Sequence, residues 1–220
     1  MNEENLAKLH ALLDEVLRVN LQFNLTSIRD PQEAWIKHIL DSLEGLQSGC
    51  FDASERVVDV GAGAGFPGLA LAAARPNLKV RLLDSTRKKC DFINAAAAKL
   101  ELNAKALCGR AEIEGQSVVW RERFDVATAR AVGSFNEVCE LAMPLIKVGG
   151  KLVLWRGQHA REEVRLARGA IRVLGGDAVS IYPYNLPGYA LQYHIVVVEK
   201  SGETPKIYPR RDGVPKQNPL

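Results

Sequence analysis

The sequence predicts an α/β fold: a doubly wound, mostly parallel sheet of seven strands behind an N-terminal helical cap. Three observations carry this expectation. From residue 56 onward, short β-branched runs alternate with longer amphipathic stretches. The first run, Val57-Val58-Asp59-Val60, ends in an alternating glycine loop, Gly61-Ala62-Gly63-Ala64-Gly65-Phe66-Pro67-Gly68, and an Ala/Leu-rich segment follows, which reads as strand, tight turn, helix. The last two runs are joined by Asn185-Leu186-Pro187-Gly188, a link short enough for an antiparallel hairpin beside parallel strands.

Taken in order, residues 3–23 place Leu6, Leu9, Leu13, Val16, Leu17 and Asn20 at helical spacing. Asn24-Leu25-Thr26-Ser27 breaks that helix. Asp30-Pro31 then reads as an N-cap with proline at the first helical position, and a second helix over about 31–46 buries Trp35, Ile36, Ile39, Leu40 and Leu43. Residues 1–54 thus form the helical cap. Strands follow at 80–84, 104–108, 124–129, 151–155, 179–184 and 192–199, with helices expected over 86–100, 135–146 and 159–174. Residues 55–200 make the main domain. The remaining 201–220 are rich in proline and basic residues, and read as an extended arm with polyproline character.

At 220 residues the chain can bury a full core. A hydrophobic content of 47% and a charged content of 25% are ordinary for a globular protein, and a formal net charge of +3 permits a nucleic-acid partner without demanding one. The four cysteines, Cys50, Cys90, Cys108 and Cys139, are widely spaced, as expected of reduced thiols in a cytoplasmic protein. The start Met1-Asn2-Glu3-Glu4 does not resemble a secretory signal, and no apolar run approaches the roughly 20 residues of a membrane span. The four histidines, His10, His38, His159 and His194, lack ligand spacing, so no metal is expected. The chain is expected to act as a monomer, away from membranes.

The glycine loop points to a ligand. Glycine lets a backbone take positive φ and lets a ligand approach it closely, and the helix N-terminus behind the loop attracts an anionic group. The dinucleotide fingerprint wants a third glycine where this chain has Phe66, so the loop suits a carboxylate better than a pyrophosphate. Asp84 ends the second strand, 19 positions after Gly65, where an acid accepts hydrogen bonds from ribose hydroxyls; it also suits a cap for the next helix. Gly109-Arg110-Ala111-Glu112 follows the third strand and offers a backbone N–H and a carboxylate to a base edge, or is a surface turn. Arg130 ends the fourth strand, as an anion contact or an ordinary ion-pair partner.

Together, Asp59-Val60-Gly61-Ala62-Gly63-Ala64-Gly65-Phe66-Pro67-Gly68, Leu83-Asp84-Ser85, Arg110-Ala111-Glu112 and Ala129-Arg130-Ala131-Val132 resemble the motifs of the ribosomal RNA small subunit methyltransferase G family. Asn24-Leu25-Thr26, His38-Ile39-Leu40-Asp41-Ser42-Leu43, Pro144-Leu145-Ile146-Lys147 and Gly149-Gly150 match the same pattern, so the resemblance is close over about residues 20–160. One departure is Trp155-Arg156-Gly157, where the family usually has lysine before the glycine. The resemblance implies a Rossmann-like, class I S-adenosylmethionine-dependent methyltransferase fold. It implies S-adenosyl-L-methionine as methyl donor, with S-adenosyl-L-homocysteine as product, and N7 of a guanosine in small-subunit (16S) ribosomal RNA as acceptor. It places cofactor contacts at Gly61, Phe66, Asp84, Ser85, Thr86, Ala111, Glu112 and Arg130, and the glycine loop adds Gly63 and Gly65 to the expected contacts.

Guanine N7 carries a lone pair and no proton, so methyl transfer to it is a direct displacement that needs alignment and no general base. Consistently, the chain has no Asn/Asp-Pro-Pro-Tyr/Phe motif for exocyclic amines and no Pro-Cys nucleophile for pyrimidine C5. RNA phosphates call for cations near the entrance; the candidates are Arg123, Arg156, Lys206, Arg210, Arg211 and Lys216, with Arg130 and Arg161 beside them. Phe66, Trp155 and Tyr189 are the rings available for stacking, with Trp155 the best suited to the core. His38, Asp41 and Ser42 share one expected helix, yet no Gly-x-Ser-x-Gly elbow accompanies them, so they read as cap residues near the opening or a structural hydrogen-bond cluster. Three other functions remain in view: a nicotinamide-dependent dehydrogenase, disfavoured by Phe66; a non-catalytic RNA-binding module; and a small-molecule methyltransferase.

Overall fold

A computed structural model describes residues 1–220. Strands β1 (Arg56–Val60), β2 (Lys79–Asp84), β3 (Ala104–Cys108), β4 (Phe124–Arg130), β5 (Ile146–Arg156), β6 (Gly176–Asn185) and β7 (Gln192–Lys200) form one seven-stranded sheet in the order β3-β2-β1-β4-β5-β7-β6. The first five are mutually parallel, and β7 runs antiparallel between β5 and β6. The strand order turns back between β1 and β4. Their carboxyl ends therefore flank the crevice where ligands of doubly wound sheets bind.

Side-chain alternation covers both faces. Val57, Val80 and Val126 point into one core, shared with the helices α1 (Glu3–Asn20), α4 (Gly68–Ala74) and α5 (Arg87–Lys99). Val58, Val60, Ala127 and Ala129 point into a second core with α7 (Phe135–Ala142) and α8 (Ala160–Val173). Full burial of Leu9, Leu12 and Val16 on α1 contributes about 1.5–3 kcal/mol each and clamps the cap to the first core.

The expected helix over 3–23 stops at Asn20, whose side-chain Oδ1 accepts the N–H of Leu25 at 2.8 Å and of Thr26 at 3.0 Å, so this residue builds the turn. Asp30 caps the next helix as anticipated, accepting from the N–H of Glu33 at 2.7 Å. That helix is not uniform: α2 (Pro31–Ala34) passes into a π-helical turn, Trp35–Leu40, then α3 (Asp41–Glu44) and a 3₁₀ turn, Gly45–Ser48. π-turns of this kind commonly mark functional sites. The helix expected over 135–146 ends early, because Pro144 closes a 3₁₀ turn and Ile146 already pairs with Phe124. Two four-residue helices, α6 (Ala111–Glu114) and α9 (Val214–Gln217), complete the chain.

The extended arm expected for 201–220 is corrected by the structure. This segment is folded against the body. Arg121 donates to the carbonyls of Thr204 at 2.6 Å and Tyr208 at 2.8 Å, and Arg210 forms a forked ion pair at 2.6 Å with Glu140, which is 0% exposed. Lys200, also fully buried, binds Glu122 at 2.9 Å and the carbonyl of Ile146 at 2.6 Å. A proline-rich composition disfavours regular structure, but it does not prevent docking when a buried acid and a multidentate arginine hold the segment.

Candidate active site

The glycine loop is held open by two carboxylates, one from below and one from the side. Asp59, completely buried on β1, accepts the N–H of Gly68 at 2.9 Å and the hydroxyl of Thr128 at 2.8 Å. Burial pushes its carboxyl up to about 7, against the pull of those two hydrogen bonds. Asp84 accepts the N–H of Gly63 at 2.9 Å through one oxygen and the N–H of Thr86 at 2.8 Å through the other. Each oxygen keeps a second lone pair for a ligand.

Glycine is required here for space as well as for φ. Gly61, at φ +72°, would drive a Cβ to 2.5 Å from Val132, and Gly65, at φ +95°, would drive one to 2.5 Å from Leu69. At Gly63, φ +57°, the space is open towards the cleft.

Two cavities meet at Gly61 and Asp84. One, of about 240 Å³, is lined by Gly63, Phe66, His38, Lys89 and Arg130; the other, of about 400 Å³, by Ser85, Ala111, Glu112, Val132, Gly133 and Lys216. They form the two arms of one cleft. In the first arm, His38 lies flat on Phe66, with ring centroids 4.8 Å apart. The Nε2 of His38 sits 3.0 Å from the Thr26 hydroxyl, while its buried Nδ1 has no partner. Burial, with the Arg130 charge nearby, pulls this imidazole down to about 4.

Arg130 uses one nitrogen, Nη1, to reach the Lys37 carbonyl at 2.8 Å and Asp41 Oδ2 at 2.7 Å, leaving other N–H groups for the cleft. Asp41 is the hub of the cap contact. It also accepts the Tyr184 hydroxyl at 2.5 Å, and its carbonyl accepts the Trp155 indole N–H at 2.6 Å. Desolvation and the Asp41 charge push the Tyr184 phenol upward.

Of the ten expected cofactor contacts, Gly61, Gly63, Phe66, Asp84, Ser85, Ala111, Glu112 and Arg130 line the cleft. Gly65 turns inward under Leu69, and Thr86 serves through its backbone as the start of α5. The RNA candidates are dispersed. Arg123 precedes β4, at the end of the sheet opposite the cleft. Arg156 is held by Glu163 at 2.8 Å, and Arg210 by Glu140. Lys206 and Arg211 are exposed on the docked tail. Lys216 lies in the cleft wall with Gly213, whose N–H reaches Glu112 at 3.2 Å, so the tail closes part of the second arm. Asp59 is a site residue that sequence reasoning does not single out. Its signal is an acid inside an otherwise apolar strand.

The match to known proteins is extensive. The model of the family described as rRNA small subunit methyltransferase G matches residues 5–187. The chain belongs to this family. It is 40% identical over 208 residues to "Ribosomal RNA small subunit methyltransferase G" of Alkaliphilus oremlandii, covering 94% of this chain and 87% of that one. It is 42% identical over 212 residues to the protein of the same name from Synechococcus elongatus, covering 96% and 88%. Among solved structures, the O-methyltransferase from Bacillus cereus in complex with SAH superposes with a TM-score of 0.57 at 19% identity, covering 86% of this chain and 90% of that one. That likeness shows a shared methyltransferase fold, as expected from the strand order.

Proposed function

We propose that the protein transfers a methyl group from S-adenosyl-L-methionine to N7 of a guanosine in small-subunit ribosomal RNA. Family membership supports the methyl donor and the ribosomal RNA. The observation that carries the site assignment is the two-armed cleft at the β1/β4 switch, with an open glycine cradle between Asp84 and Arg130. The cradle fits the donor, because Gly63 leaves open space towards the cleft between Asp84 and Arg130, and the unpartnered Nδ1 of His38 belongs to a ring that lines the same arm.

When bound, the cofactor supplies an electrophilic methyl on a sulfonium. Each lining residue then has a task. Asp84 accepts from the ribose hydroxyls, with Ser85 and Thr86 fixing its turn. Ala111 and Glu112 meet the base edge in the second arm. Arg130 offers its free N–H groups to the amino-acid carboxylate. Phe66 and His38 form a flat apolar wall that excludes water. Guanine N7 needs no deprotonation, so the residues act by alignment, and none is assigned as a general base. Docking of the cap through Asp41 and Arg130 holds the wall in place. We assign the enzyme to the cytoplasm, in keeping with four free cysteines, where it acts as a monomer on ribosomal RNA or the small subunit.

The test is to incubate the protein with labelled methyl donor and, separately, naked small-subunit RNA, assembled small subunits and large-subunit RNA, then map the methylated position. Label on a guanine N7 of small-subunit RNA is expected, and D84A is expected to weaken S-adenosylhomocysteine binding about tenfold or more. Label on an exocyclic amine, or on no RNA form, overturns the reading.

A further inference from the structure

Away from the cleft, α8 carries Arg161, Arg165, Arg168 and Arg172 along one side of a groove of about 470 Å³. Their spacing, four, three and four residues, keeps all four within a narrow arc of the helix. The stripe is about 16 Å long, at 1.5 Å per residue. The adjoining face of α8, with Ala160, Val164, Ala167 and Ile171, is packed into the second core, and Val164 and Ile171 also form the inner wall of the groove beside the arginines.

The groove floor is formed by Val179 and Ile181 of β6, the edge strand of the sheet. The stripe is largely uncompensated. Arg165 pairs with Glu162 at 2.6 Å, and Asp177 lies in the groove, but Arg161, Arg168 and Arg172 form no ion pair in the fold. Placing unpaired like charges in a row costs stability through self-repulsion, which an external polyanion relieves.

One end of the stripe is fixed to the cleft. Arg156, at the end of β5, holds Glu163 of the first α8 turn at 2.8 Å and reaches the carbonyl of Gly133 at 3.4 Å; Gly133 lines the larger arm of the cleft. We propose that the α8 stripe, led by Arg161, Arg168 and Arg172, binds the phosphate backbone of the substrate RNA and carries it from the cleft rim down the β6 flank. The inference rests on the RNA-methylating reading above and adds a second contact surface that the cofactor cleft does not contain. Guanidinium groups at helical steps suit successive phosphates, since each presents its donors as a planar fork. The contact is to backbone, so it positions the RNA and carries no base preference.

The experiment uses the full chain with transcribed small-subunit RNA and compares wild type, R161Q/R168Q/R172Q and K105Q. Lys105 lies on β3, at the opposite sheet edge, and serves as the control for general charge. Glutamine preserves helix propensity, and unchanged S-adenosylhomocysteine affinity verifies that the cleft is folded. Removing one phosphate interaction lowers the slope of log affinity against log salt by about 0.7–0.9. The triple variant is therefore expected to reduce that slope by about two units and to raise the RNA KM about tenfold, with kcat retained and K105Q near wild type. If wild type methylates RNA and the triple variant keeps its KM and slope, the stripe proposal fails while the functional reading stands. If the triple variant is impaired only on assembled subunits and normal on naked RNA, the stripe faces a protein, and the proposal also fails. If wild type methylates no RNA, the functional reading itself falls, and the stripe with it.

Discussion

Replacing Asp59 with asparagine tests how the glycine loop is built. In the folded protein this fully buried carboxyl titrates near 7, against 3.8 for an ordinary aspartate. Between those values the folded chain keeps a proton that the unfolded chain has given up. Unfolding then releases a proton, so this group makes stability fall as pH rises, by about 1.4 kcal/mol per pH unit. From pH 5 to pH 8 the decrease amounts to about 2–3 kcal/mol, flattening above pH 7 where both states are ionised. D59N cannot ionise. Its amide oxygen can take the Gly68 N–H, and its amide nitrogen can donate to Thr128, whose hydroxyl lies 3.5 Å from the Val58 carbonyl as an alternative acceptor. Urea denaturation of both proteins at several pH values measures the difference directly. The stability of D59N relative to wild type is expected to increase by about 2–3 kcal/mol between pH 5 and pH 8, whatever its offset at pH 5. A difference that stays constant across that range refutes the account, because it means that Asp59 ionises in the fold as easily as in the unfolded chain.

His38 provides the opposite slope. Its imidazole, held near 4 against an ordinary 6.5, binds its proton at lower pH in the fold than in the unfolded chain, so it makes stability rise with pH up to about 6.5. H38Q is expected to remove that rise and leave stability falling more steeply between pH 4.5 and 6.5, by about 1 kcal/mol per pH unit relative to wild type in the same denaturation series. R210A leaves Glu140 buried without its cation and is expected to cost about 3 kcal/mol, read as a lower urea midpoint; E140Q in the same chain should recover much of it, and no recovery would show that tail packing, not the ion pair, carries the destabilisation.

The strand–helix alternation, the closing hairpin and the cleft are legible in the sequence because they follow from local periodicity and from glycine positions, which single stretches of chain contain. Phe66, Asp84 and Glu112 each follow or end a parallel strand, and parallel winding brings such ends together whatever lies between. Other features depend on partners far apart in the chain. Nothing local marks Arg121, Arg210 or Glu140 as tail anchors, since their contacts span 70 residues or more. The tail's prolines and cations imitate a solvated arm, and only the buried Glu140 on α7 and the half-buried Glu122 before β4 reveal that it docks. Asp41 shows the same limit. Its helical neighbours His38 and Ser42 suggest a local cluster, and Ser42 does bond to the His38 carbonyl at 2.5 Å. The strongest partners of Asp41, Arg130 and Tyr184, come from β4 and β6.

The titrating groups around the cleft bear on the chemistry. The carboxyl placed near 7, Asp59, is sealed beneath the loop, with its oxygens directed to Gly68 and Thr128 and no exposed surface. It cannot reach a substrate proton. His38 does line the cleft, but an imidazole held near 4 is a weak base at neutral pH and is already neutral throughout the working range. The cleft therefore combines fixed geometry with little capacity for proton transfer, as suits attack by a nitrogen that carries no proton. A pH–rate profile of methyl transfer at saturating cofactor is expected to run flat from about pH 6 to about pH 8.5, and H38Q should keep that flat shape even if its rate falls. An ascending limb with a midpoint near neutrality that disappears in H38Q would assign a general base to the site and overturn the alignment mechanism, because a base is needed only when the attacking nitrogen must first lose a proton.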